Sequence, residues 1–134
     1  MRKLIIPVIL GLIVIVSSCK DETSYMPQIT QMKDSIFKAY PTTVASIWMN
    51  VLDKTDLKIV LGGKRLYATQ DAEKQKMAAD MGTMAWRIFG KDSYLKKGTL
   101  VFTKDEQNTV DTPADAVTVP INMDAAKNIV YPAK

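Results

Sequence analysis

Apolar residues in this chain occur first as a nearly unbroken run, then at helical spacing, and then in alternation with polar ones. Leu4 to Val16 is apolar apart from Pro7 and Gly11, behind a positive head of Arg2 and Lys3. From Pro27 onward, Ile29, Met32, Ile36, Phe37 and Tyr40 recur at about 100° per residue, with Gln31, Asp34, Ser35 and Lys38 opposite them. That pattern predicts an amphipathic helix. Pro27 suits its first turn, and Pro41 ends it by disfavouring helical geometry in the residue before.

Residues 43–52 fit two templates. Val44, Ile47, Trp48, Val51 and Leu52 make a helical stripe, whereas Ala45, Ile47, Met49 and Val51 alternate as a strand would. Context favours the strand, because Asp53-Lys54-Thr55-Asp56 can turn the chain and no Gly or Asn helix stop precedes it. Beyond the turn, "LKIVL" and "KRLYA" flank Gly62-Gly63, which predicts a hairpin and a three-strand meander. The pair lacks the rest of a phosphate-binding loop.

The strongest helical pattern spans 70–89. Thr69 is placed to cap it, Asp71 and Glu73 sit where the helix dipole favours negative charge, and Gly90 follows as a stop. Met77, Ala78, Met81, Met84, Ala85, Ile88 and Phe89 fill one arc, and Glu73, Lys76, Asp80, Thr83 and Arg87 the other. Such an arc predicts core packing in preference to a methionine-lined docking groove. Trp86 lies on the border between the arcs, where it serves either as core margin or as the candidate partner contact, since exposed tryptophan is enriched among binding hot spots.

"GTLVFTK" (98–104) alternates as a strand, 105–116 reads as a polar surface loop, and "AVTVPIN" (116–122) is a strand whose Pro120 suits an edge or an end. The tail from Met123 carries little pattern. These elements predict an α+β domain over 27–134, with a small, mostly antiparallel sheet and two amphipathic helices packed on one face. Were 43–52 helical, the domain would begin with a helix hairpin and the sheet would be smaller.

The 13-residue run at Leu4–Val16 is too short for a transmembrane helix, which needs about 20 apolar residues, and has the proportions of a secretory signal. It ends in Val16-Ser17-Ser18-Cys19, which resembles the lipobox of bacterial lipoproteins. The resemblance implies a signal peptide over 1–18, lipidation of Cys19, and a lipidated tether over 19–26. Two acyl chains on one residue would hold a protein stably at a membrane where one chain binds reversibly. Lys20-Asp21-Glu22 resembles the acidic export signal of Bacteroidota surface lipoproteins, which implies the outer-membrane surface, with the periplasmic face of that membrane as the alternative.

Composition narrows the chemistry. The formal charge of +4 falls when Arg2 and Lys3 are removed, leaving 16 basic and 14 acidic residues, and no basic stripe marks a nucleic-acid surface. Cys19 is the only cysteine, so an exported domain would hold together by its core without a disulfide. There is no histidine, which removes the commonest general base, the usual zinc ligand and the serine or cysteine triads. Neither acidic cluster, 53–56 or 105–108, has the spacing of a calcium loop. No catalytic residue, metal ligand or cofactor is therefore expected. The leading expectation is a non-catalytic binding or assembly module held at the membrane by its lipid, with an envelope protein or glycan as partner and no role for nucleic acid. The alternative is a small hydrolase acting on envelope glycans with a carboxylate pair, chemistry that dispenses with histidine.

Overall fold

The computed structural model describes residues 25–91, 93–104 and 115–132. They form α1 (Met26–Ala39), β1 (Ser46–Leu52), β2 (Asp56–Gly62), the single turn α2 (Lys64–Tyr67), α3 (Asp71–Phe89), β3 (Lys97–Thr103), β4 (Val117–Ile121) and α4 (Met123–Val130). The strands lie in the order β1-β2-β3-β4. The outer pairs are antiparallel and the central pair, β2 with β3, is parallel. The α+β class and the mostly antiparallel sheet are as the sequence predicts.

Register puts three apolar rows on one sheet face: Ile47, Leu61, Phe102 and Val117; Met49, Ile59, Leu100 and Val119; Val51, Leu57, Gly98 and Ile121. Onto these rows pack Ile29, Met32 and Ile36 of α1, Met77, Ala78, Met81, Ala85 and Trp86 of α3, and Met123 and Ala126 of α4. All three long helices therefore share one face and one core.

The sequence's choice of a strand for 43–52 matches β1. Its turn places Asp53 and Lys54 at φ 52° and 65°, the left-handed pair that suits a tight hairpin. The expected second hairpin at Gly62-Gly63 does not form. Gly62 ends β2, and the N–H of Gly63 donates to Thr103 O at 3.1 Å as the chain leaves the sheet. A Cβ at Gly63 would stand 2.6 Å from Thr43 O, so close backbone approach is what the glycine serves. "KRLYA" becomes a helical turn that buries Leu66, and the chain returns through α3 to lay β3 parallel to β2.

Helix limits follow local chemistry with one change. Gln70, and not Thr69, is the N-cap of α3, and the Thr69 hydroxyl instead donates to Leu66 O at 2.7 Å. Asp71 and Glu73 occupy the first turn, and Gly90 terminates the helix at φ 93°, which a side chain would resist. In α1, Phe37 is 42 % exposed and lies outside the core, although the wheel places it in the arc.

A second departure is α4, which the sequence reading leaves unpatterned. The Asn122 side chain caps it by accepting from Ala125 N at 3.0 Å, and Met123 and Ala126 seat it against α3. The two helices approach most closely at Gly82. A Cβ there would lie 2.8 Å from Ala126 Cβ and 3.0 Å from Ile121 Cγ2. Helix propensity favours Gly82→Ala by about 1 kcal/mol, but overpacking a rigid contact costs about 1 to 3 kcal/mol. Gly82→Ala is expected to lower stability by roughly 1 kcal/mol net. Urea denaturation measures it, and a raised midpoint would show that the approach is not tight.

Candidate functional site

Helices α1 and α3 run antiparallel: the Tyr25 ring, at the start of α1, lies 5.5 Å from that of Phe89 at the end of α3, and Tyr40 just beyond α1 meets Asp80. Between them lies an open cleft of about 360 Å³. Its floor is Ala39, Met84 and Ile88, and its polar groups are Ser35, Tyr40, Asp80, Thr83 and Arg87. On α3 the residues fall at i, i+3, i+4, i+7 and i+8 from Asp80, the spacing that aligns side chains on one helical face. On α1, Ser35 and Ala39 are four apart for the same reason.

The Tyr40 hydroxyl donates to Asp80 Oδ2 at 3.0 Å, joining the two helices across the cleft. Burial, then the hydrogen bond and negative charge of Asp80, with Glu73 adding to them, push the Tyr40 phenol up from 10.0 to about 12. It stays protonated, and a donor, throughout the neutral range. The two neighbouring hydroxyls are spent on their own helices: Ser35 Oγ donates to Gln31 O at 2.9 Å and Thr83 Oγ1 to Asp80 O at 2.9 Å. Arg87 is exposed, and among the described residues no carboxylate pairs with it.

A second concavity, of about 340 Å³, opens where β2 and β3 begin and β4 runs into α4. Asp56, Lys96, Lys97 and Asp124 line it, and Asp56 Oδ1 is buried without a hydrogen-bond partner. Two carboxylates thus share one depression, but it has no aromatic ring on which a sugar could stack.

Trp86, the candidate partner contact or core margin, is only 2 % exposed. Its Nε1 donates to Met123 O at 2.8 Å, Lys127 Nζ lies 4.9 Å from the ring centre, and Tyr131 Oη donates to Trp86 O at 3.1 Å. The unforeseen α4 covers the border of the α3 arc and turns its edge residue into core. Cys19, Lys20, Asp21 and Glu22 lie outside the described residues.

Sequence reading also missed Lys74, which is 4 % exposed. Its ammonium donates to Tyr67 O at 2.7 Å and Thr69 O at 2.8 Å, and it lies 5.5 Å from the Tyr67 ring centre and 5.7 Å from that of Phe102. A cation at the C-terminal end of α2 satisfies carbonyls the short helix leaves open. Its role is structural.

Among the described residues no group of three or more acidic, cysteine or histidine side chains could hold a metal ion. No family model, curated protein or solved structure matches the chain.

The raised phenol generates a signed prediction. A folded-state value above the unfolded one contributes stability that is present below pH 10 and lost as pH rises toward about 12. The stability difference between wild type and Tyr40→Phe should therefore be constant up to pH 9 and shrink between pH 10 and 12. Chemical denaturation of both proteins along that series reads it; a difference that grows above pH 10 would contradict the upward shift that burial and Asp80 give the phenol.

Proposed function

We propose that this chain is an outer-membrane lipoprotein, held through lipidated Cys19 and displayed at the cell surface, whose domain binds an envelope component without catalysing a reaction. The observation that carries the proposal is the N-terminal one: a basic head and a 13-residue, largely apolar run ending at Val16, followed by Ser17-Ser18 and the only cysteine. The described residues contain no helix long and apolar enough to cross a membrane. Lys20, Asp21 and Glu22 support surface display by their position directly after the cysteine.

Binding is favoured over catalysis by the character of the cleft between α1 and α3. It combines an apolar floor with a few polar groups fixed by bonds to their own scaffold, the composition of small recognition sites. Its single carboxylate is engaged by Tyr40. The second reading, hydrolysis of an envelope glycan, draws on Asp56 and Asp124 in the sheet-end depression. New reducing ends released from such a glycan by wild type, and not by Asp56→Asn, would favour it over binding.

Cys19→Ala should leave the domain folded and move it from the detergent phase to the aqueous phase on phase partition. Mass spectrometry of the wild-type N-terminus should find two or more acyl chains on Cys19. An unmodified Cys19, or cleavage elsewhere, would overturn the lipoprotein reading.

A further inference from the structure

The hydrogen bonds around the cleft fix which of its groups can donate to a ligand. A hydroxyl that donates to a carbonyl oxygen offers a ligand its lone pairs, and becomes a donor to that ligand only by giving up the bond. Ser35 Oγ and Thr83 Oγ1 are both in this position, donating to Gln31 O and Asp80 O. Tyr40 Oη has given its hydrogen to Asp80 Oδ2, and the remaining carboxylate positions of Asp80 accept only. With these bonds in place, the polar side chains of the cleft other than Arg87 present acceptors.

Arg87, a donor only, stands seven residues along α3 from Asp80, about 10 Å along the helix axis. Among the described residues it has no anionic partner. The complement of this arrangement is a molecule with several spatially separated donors and a carboxylate. An amino acid zwitterion concentrates its donors on one nitrogen, whereas the acceptors are divided between α1 and its end (Ser35, Tyr40) and α3 (Asp80, Thr83). A sugar ring distributes its hydroxyls. Ala39, Met84 and Ile88 would meet the ring's apolar C–H face, and about 360 Å³ is near the lower limit for small-molecule pockets, enough for a single ring.

We propose that the cleft between α1 and α3 binds a carboxylated sugar, with Arg87 pairing the carboxylate and Ser35, Tyr40, Asp80 and Thr83 accepting from its hydroxyls. This deepens the binding reading of the domain and rests on it, while standing independently of the lipid anchor.

The test uses the purified full chain in detergent micelles, with D-glucuronate as probe, D-glucose as its neutral counterpart and L-alanine as the zwitterion, followed by ligand-observed saturation-transfer NMR. Wild type should bind glucuronate about tenfold more tightly than glucose, the worth of one charge-assisted bidentate contact. Arg87→Gln, at an exposed position, should keep the thermal midpoint and bind glucuronate no better than glucose. Asp80→Asn should weaken both sugars. Absence of transfer to glucuronate, equal binding of the two sugars, tighter binding of alanine, or wild-type affinity in Arg87→Gln would each overturn the proposal. Glucuronate binding by a chain whose Cys19 is unmodified would remove the anchor and leave this site standing; a lipidated chain that ignores glucuronate would do the reverse.

Discussion

The architecture depends on one pairing, the parallel ladder between β2 and β3. Antiparallel neighbours can be joined by a tight turn, as β1 and β2 are, but parallel neighbours require the chain to travel back along the sheet before it pairs again. Here that return is made by α2 and α3, and α3 packs on the sheet face that carries Ile59, Leu61, Leu100 and Phe102, lying nearest β3 and β4. The longest helix, the central strands and the deepest core residues are thus parts of one closure. Lys74 reinforces it at the point of departure, tying the end of α2 to α3 beneath the Phe102 ring.

Everything peripheral attaches to α3. On one flank α4 docks through the close contact at Gly82 and the bonds linking Trp86 to Met123 and Tyr131. On the other flank α1 lies antiparallel, joined by Tyr25 with Phe89 and Tyr40 with Asp80. The proposed recognition cleft is a by-product of that second docking. Side chains of α3, whose apolar face lies in the core, form one wall, and Tyr40 and Asp80 are already joined before a ligand arrives, which lowers the ordering cost of binding.

What the sequence revealed divides along physical lines. Local periodicity located α1, α3, β1, β3 and β4, because apolar spacing reports which face of an element is buried. It failed where burial is decided by a distant partner. Gly62-Gly63 carries hairpin chemistry, yet Gly63 serves a close pass by Thr43 O that no local pattern records. The helix α4 is only eight residues long, with a cap at Asn122 as its clearest signal, and missing it left Trp86 on an imagined surface. The cleft is hidden for a similar reason: the helical pattern makes Tyr40 an apolar position and Asp80 a solvated one, and only the antiparallel docking of α1 brings them to 3.0 Å. The N-terminal motif, by contrast, is legible because its chemistry is written in consecutive residues.

Native-state hydrogen exchange tests the dependence on the parallel pair most directly. If β2, β3 and α3 form one closure, the amides of Ile59, Leu61, Leu100 and Phe102 should exchange only with global unfolding, at the same free energy and denaturant dependence as Met81 and Ala85 in α3. The amides of α1 and α4 should open at lower free energy without exposing them. Exchange of β3 and β4 through a partial opening that leaves β2 and α3 protected would contradict this, because the parallel ladder could then break while the rest of the domain remained folded.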